Sequence, residues 1–369
     1  MPAPTATDLA PLLDLFRPAV REQAAYRVAT EVDDAAKLDQ NESPYDVPPR
    51  TKKAALAHFM ASDWNRYPSD QPRKLIAALA AHLDWPERGF IVGRGSNELV
   101  HTIGIGLISE GTKVILPHPM FALYESVVRV YGGEVVSVDP NPDDFSHDPD
   151  DVIAAMQASN APLTIVCTPN NPTGQAFSFD GLRRMAEAAP GFLLIDEAYV
   201  EFIAGPDAGD LLRRYPNVLV MRTFSKAMGL AGLRLGYLMG HPEVIGELEK
   251  PHLPFRIDRL SESVALSMLE CDDLIEDRVH TMTVEREKML AALAQRDDVE
   301  TVPSAANFFI MRTPIAPADL LARMLAEGVR IRNVSGYPAL AGWVRVSVGL
   351  PAENRAFLDA LNRVLDGRS

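Results

Sequence analysis

Between about residues 70 and 250 the chain alternates short β-branched runs with helical patterns, and few folds accommodate that alternation. "KVIL" (113–116), "EVVSV" (134–138), "LTIVC" (163–167), "FLLI" (192–195), "VLVMR" (218–222) and "LGYLM" (235–239) read as strands. Helical patterns such as "MFALYESVVRVYG" after Pro119 and "FDGLRRMAEAA" from Phe179 lie between several of them. Strands with no inside/outside alternation belong to a mostly parallel sheet covered by helices on both faces. In such a sheet ligands gather beyond the carboxyl ends of the strands.

Past about residue 255 the texture changes. A helical stretch runs through "SESVALSMLE" and "VHTMTVEREKMLAALAQ". The short strands "FFIMR" (308–312), "VRIR" (329–332) and "WVRVSVG" (343–349) follow, and "PAENRAFLDALNRVL" closes the chain as a helix. The expected architecture is α/β. A large, mostly parallel α/β/α domain spans residues 46–250, and a smaller α+β domain takes residues 251–369 together with an N-terminal arm, 1–45.

The charge narrows the classes of partner. Fifty acids against 36 bases give a net charge of −14, which argues against a nucleic-acid or anionic-membrane footprint. Cys167 and Cys271 lie too far apart for a metal-ligand motif and suit a reducing, cytoplasmic setting. The eight histidines form no HxxxH pair, so no metal site is expected. The opening "MPAPTATDLAPLLDLFRPAV" has no basic start and acids break its apolar run, so it is not expected to be a signal peptide.

Five stretches carry groups with chemical potential, and each alone has an ordinary structural explanation. In "LLIDEAYVEF", Asp196 ends an apolar run and Tyr199 follows three residues on. An acid there needs a partner, or it caps the next helix. "TPNNPTGQ" makes a tight turn that holds Asn171. "VGRGSNELV" runs a glycine turn into a helix, so Ser96 and Asn97 would offer a hydroxyl and backbone amides to a phosphate. It lacks the GxGxxG spacing of a dinucleotide fold. "MRTFSKAMGLAGLRLGY" sets Thr223, Ser225, Lys226 and Arg234 close together, and a buried lysine loses its proton readily and becomes a nucleophile. "FALYE" offers Phe121 and Tyr124, an aromatic pair that is more often core than a shelf for a ring.

Taken together, these groups meet the needs of pyridoxal 5′-phosphate. Its aldehyde needs a lysine and its pyridinium nitrogen a carboxylate. Its phenolic oxygen needs donors, its phosphate needs hydroxyls, an arginine and a helix N-terminus, and its ring needs an aromatic face.

The order N-P-T-G, D-E-A-Y and T-F-S-K with an arginine eight residues on resembles the class I/II, fold-type-I aminotransferases. "LDQNESPYDVPP", "NRYPSDQPRKLIAALA", "GSNELV" and "GYPALAGWVRVSVG" make the histidinol-phosphate aminotransferase branch the nearer likeness, over nearly all the chain past residue ~26. The resemblance implies that Lys226 is the Schiff-base lysine and Asp196 the partner of the pyridine nitrogen. It makes Asn171 and Tyr199 the donors to the phenolic oxygen and Phe121 the stacking ring. Ser96, Asn97, Thr223, Ser225 and Arg234 become the phosphate cradle. Tyr67 would reach the phosphate from a neighbouring subunit, which implies a homodimer. Arg345 would grip the substrate carboxylate bidentately, with Arg332 and Tyr26 near the distal end of the substrate.

The expected reaction is a ping-pong amino transfer between L-histidinol phosphate, or a related amine, and 2-oxoglutarate/glutamate. One segment departs from the branch. "LPFRID" has Phe255 where relatives often carry a tyrosine hydroxyl, followed by Arg256, so an aromatic amino acid that meets Phe121, Tyr124 and Phe255 is a rival donor. An amino-acid-phosphate decarboxylase and a non-catalytic ligand-sensing domain are rival functions on the same fold.

Overall fold

The computed structural model describes residues 9–23 and 36–367. Its centre is a seven-stranded sheet built from β2 (Phe90–Gly93), β3 (Lys113–Pro117), β4 (Glu134–Val138), β5 (Leu163–Cys167), β6 (Phe192–Asp196), β7 (Val218–Thr223) and β8 (Gly236–Met239); β1 (Ala36–Lys37) lies outside it. The order across the sheet is β2-β8-β7-β6-β5-β3-β4. All contacts are parallel except those of β8, which runs antiparallel to both β2 and β7. Strands β5, β6 and β7 are buried along almost their whole length, which is why each reads as an unbroken apolar run.

Two apolar clusters cover the two faces of this sheet. One holds Ile115, Val166, Ile195 and Val220; the other holds Val114, Ile165, Leu194 and Leu219, so alternate residues of each strand point to opposite layers. The helix Arg259–Leu269 brings Val264, Ala265 and Met268 to the first cluster and packs on the helix Pro49–Met60.

A second, antiparallel sheet has the order β12-β13-β10-β9, with β9 (Glu300–Thr301), β10 (Phe308–Arg312), β12 (Arg332–Asn333) and β13 (Trp343–Ser347). The helix Pro351–Leu365 buries Phe357 and Leu361 against Phe309, Met311 and Leu38. β1 pairs in parallel with β11 (Val329–Arg330), so the segment leading into residue 38 is stitched to this part of the molecule.

Two expected elements come out differently. "VRIR" is not one strand. Val329–Arg330 joins β1 and Arg332–Asn333 joins β13, with Ile331 between them buried in the core. The helical stretch after residue 258 breaks at Glu270–Cys271 into Arg259–Leu269 and Asp272–Leu293. β2 is a strand that the apolar pattern alone does not reveal.

β2 matters because it brings the turn after Gly93 to the carboxyl edge of the parallel strands. Gly93 pairs with Gly236, and Gly236 with Thr223. A Cβ on Gly236 would stand 2.6 Å from the Ser96 backbone nitrogen and 2.8 Å from the Gly95 carbonyl carbon. Both neighbours are backbone and cannot swing aside. Gly236→Ala is expected to destabilise the protein by about 1–3 kcal/mol, read as a lower urea midpoint at unchanged m-value.

Candidate active site

At this carboxyl edge lies a cavity of about 440 Å³. Lys226, Asp196, Tyr199, Asn171 and Phe121 line it, with Ser96, Asn97, Thr223, Ser225 and Arg234 along one side and Arg345 and Arg332 along another. Candidates from widely separated motifs of the sequence thus meet in one place.

Asp196 is the last residue of β6, and its carboxylate is buried. Its Oδ2 accepts from the Tyr124 hydroxyl at 2.7 Å and from Cys167 Sγ at 3.8 Å, while Oδ1 accepts from the Ala198 N–H at 3.1 Å. Burial raises its pKa, and those three donors offset the rise only in part. The next residue faces the other way: Glu197 accepts from Arg222 Nε at 2.9 Å and Nη2 at 2.8 Å in a buried pair. One acid of "DEAY" is thus neutralised inside the fold, and the other is held at the cavity for a positive partner.

Lys226 follows β7 in a loop. Its Nζ donates to the Gln40 carbonyl at 3.0 Å and stands 5.7 Å from the centre of the Tyr199 ring. Burial of the amine lowers its pKa to about 7; Arg345 and Arg234 push the same way and Glu42 opposes them. Near neutral pH much of the amine is therefore a free nucleophile.

The two candidate donors to the phenolic oxygen are each oriented from behind. Asn171 Oδ1 accepts from Arg345 Nη1 at 2.5 Å, which turns its amide nitrogen the other way. Asn41 Nδ2 donates to the Tyr199 hydroxyl at 3.0 Å. Burial pushes the Tyr199 hydroxyl up to about 12, so it stays a donor.

The candidate phosphate seat is the start of the helix Ser96–Leu107, where the backbone amides and the helix dipole favour an anion. Arg234 closes it, donating to Ser225 Oγ at 3.3 Å and to the Ala231 carbonyl at 3.1 Å. Gly95, the residue before the helix, has φ +73°, and a Cβ there would lie 2.6 Å from Arg234 Nη2. Glycine keeps this cradle open for both reasons.

Arg332 and Arg345 are direct cross-strand partners on β12 and β13, so their side chains share one face of the sheet. Arg345 Nη2 also donates to the Asp39 carbonyl at 2.8 Å.

Some residues that the sequence points to stand elsewhere. Tyr124, expected to touch substrate, is fully buried behind Asp196 with its hydroxyl committed to that carboxylate. It supports the acid and does not line the cavity. Tyr67 is 79% exposed and stacks on Phe255 with ring centres 4.8 Å apart. Tyr26 lies outside the described residues. Arg256 turns inward, donating to the carbonyls of Val92 (2.8 Å) and Leu253 and to Gln71 Oε1 (3.2 Å), so it braces the loop and adds no cation to the cavity. Gln40, Asn41, Cys167 and Tyr337 also line the cavity, although the sequence does not mark them as site residues. For Cys167 the only signal is its position at the end of a strand; for Gln40 and Asn41 it is the "LDQNESP" stretch itself.

A free amine, a buried acid, a pair of oriented donors and an anion seat around one cavity define, on this fold, a pyridoxal phosphate enzyme of fold type I. The family model for aminotransferases of class I and II matches residues 33–361. Histidinol-phosphate aminotransferase of Chlorobaculum parvum is 39% identical over 347 residues, covering 94% of this chain and 97% of that one. That of Chlorobium phaeovibrioides is 37% identical, covering 96% and 98%. Among solved structures, histidinol-phosphate aminotransferase of Sinorhizobium meliloti in complex with pyridoxal 5′-phosphate aligns with TM-score 0.83 at 25% identity, over 96% of this chain and 98% of that one. A mutant aspartate aminotransferase of Thermus thermophilus, at TM-score 0.79 and 23% identity over 95% and 99%, shares the fold. The chain belongs to the class I and II aminotransferase family. It is a transaminase, and pyridoxal phosphate is its cofactor.

The lowered pKa of Lys226 gives a pH prediction. Below pH 7 the amine is mostly protonated and cannot attack; above it the free form dominates. Stopped-flow trapping of pyridoxal phosphate by the apo-protein should accelerate with a midpoint near pH 7. A midpoint near 10 would contradict the burial of the amine.

Proposed function

We propose that this chain transfers the amino group of L-histidinol phosphate to 2-oxoglutarate by a two-step, ping-pong route, working as a homodimer in the cytoplasm. Pyridoxal phosphate supplies an aldehyde carbon for the amine and an electron-withdrawing ring. Lys226 would hold the aldehyde, and its ε-amine would move the substrate's Cα proton, as base and then as acid. Asp196, backed by Tyr124, keeps the pyridine nitrogen protonated. Asn171 and Tyr199 would donate to the phenolic oxygen, and Phe121 would stack on the ring. Ser96, Asn97, Thr223, Ser225 and Arg234 hold the phosphate group.

The observation that carries the choice of donor is the Arg332–Arg345 pair across β12 and β13. Both guanidiniums line the cavity, so an anion seated beside them meets two cations. Histidinol phosphate bears a phosphate ester where an amino acid bears its α-carboxylate, and a dianion suits two guanidiniums better than one carboxylate does. The same pair receives the carboxylate of glutamate on the return half. The names of the relatives at 37–39% identity point the same way. An aromatic donor would draw on Phe121, Tyr124 and Phe255, and only Phe121 lines the cavity.

A second copy of the chain is favoured by the exposed aromatic surface of Trp64, Tyr67 and Phe255, from which Tyr67 would reach the neighbouring cavity. Two free cysteines, far apart in sequence, favour the reducing cytoplasm. Among the described residues no helix is long and apolar enough to cross a membrane.

Two measurements test this reading. Bleaching of the cofactor's visible band should be faster with histidinol phosphate than with phenylalanine, and equal rates would remove the proposed donor. Arg332→Gln should lower kcat/KM for histidinol phosphate by about 10–100-fold, the worth of one charged hydrogen bond, with a smaller effect on glutamate. Equal losses on both would argue against a phosphate at this arginine pair.

A further inference from the structure

Residues 38–41 cross the site as a strap, and each of their carbonyls meets a different partner. Leu38 O accepts from the Ser347 N–H at 2.9 Å, Asp39 O from Arg345, Gln40 O from Lys226, and Asn41 O from Asn307 Nδ2 at 3.1 Å. Asn41 ends the strap in a left-handed conformation, φ +53°, which asparagine tolerates better than most residues. It is 1% exposed.

The hydrogen bonds of Asn41 form a directed chain. Its own N–H donates to Ser347 Oγ at 2.8 Å, and Ser347 Oγ then donates to Asn41 Oδ1 at 2.9 Å. With Oδ1 acting as an acceptor, the other end of the amide is Nδ2, a donor with no lone pair to offer. Nδ2 donates to the Tyr199 hydroxyl at 3.0 Å. A hydroxyl that accepts from the amide must send its own proton elsewhere, and among the described residues that proton meets no acceptor. The open direction is the cavity, which Tyr199 lines.

We infer that Asn41 is a positioning residue whose amide, locked by Ser347, aims the Tyr199 hydroxyl proton into the cavity at the phenolic oxygen of the bound cofactor. This rests on the role proposed for Tyr199 and on no particular substrate. When Tyr199 donates there, it disperses negative charge on that oxygen. The oxygen then holds less firmly the proton it shares with the nitrogen joining Lys226 to the cofactor. Losing the donation should raise the pH at which that proton leaves.

The experiment is a spectroscopic titration of the visible band in the holoenzyme without substrate. Asn41→Gly keeps the left-handed backbone and removes the amide. Its midpoint should rise by about 0.5–1 pH unit relative to the unaltered enzyme. Tyr199→Phe should raise it at least as far, and adding Asn41→Gly to Tyr199→Phe should change it little further, since the amide acts only through the hydroxyl. Should Asn41→Gly fail to fold, Asn41→Asp, which keeps the shape, serves: its shift should be larger with Tyr199 present than with Phe at 199. A shift of the same size in both backgrounds, no shift from Asn41→Gly, or no shift from Tyr199→Phe would each overturn the inference. A purely structural role would move the two backgrounds alike. The donor assignment can fail while this result stands, because no donor is present.

Discussion

A primary amine and a carboxylate are each costly to hold charged at the edge of an apolar sheet unless each finds a partner. Lys226 and Asp196 line the same cavity, yet neither bonds the other: the amine is tied to the Gln40 carbonyl and the acid to Tyr124, Ala198 and Cys167. Burial works against the charge of each, lowering the pKa of the lysine and raising that of the acid. A flat, charged cofactor that takes the amine at one end and offers a protonated nitrogen at the other relieves both. The family membership supplies that cofactor, and most of the surrounding geometry can be understood as keeping the two groups apart and ready.

The two sheets contribute differently. The large parallel sheet fixes the acid, the lysine loop and the phosphate seat along one edge, because Gly93, Gly236 and Thr223 are register partners there. The small antiparallel sheet brings Arg332 and Arg345, and the strap of residues 38–41 runs between the two. Arg345 has a double duty. It faces the cavity, and its bond to Asn171 Oδ1 sets the direction of that amide. A substitution at 345 would thus disturb a proposed donor to the cofactor as well as the proposed contact with the substrate's anion. Asn41 has the matching relation to Tyr199. Both proposed donors to the phenolic oxygen have residues standing behind them that set their direction.

Six of the seven strands in the large sheet are legible in the sequence: the central ones because a strand buried on both faces leaves a nearly unbroken apolar run, and the edge strand β4 because of its valines. β2 is not, since only Phe90, Ile91 and Val92 stand between "DWPERG" and the glycine turn that follows. "VRIR" carries no breaker to show that Ile331 turns the chain from one sheet to another. The reactive residues are legible because most of them follow a strand. Tyr124 misleads for a geometric reason: its spacing from Phe121 looks helical, but the helix begins only at Leu123, so the two rings do not share a helical face. Phe121 reaches the cavity while Tyr124 goes behind the acid. The direction of Arg256 has no local signal, because its partners at Val92 and Gln71 are more than 160 residues away in sequence.

The central claim is that one enclosed amine carries the cofactor, and reduction followed by peptide mapping tests it most directly. Borohydride treatment of the protein loaded with pyridoxal phosphate should leave a single stable phosphopyridoxyl group, on Lys226 in the peptide between Met221 and Tyr237. A label on any other lysine, or none after reduction, would contradict the account.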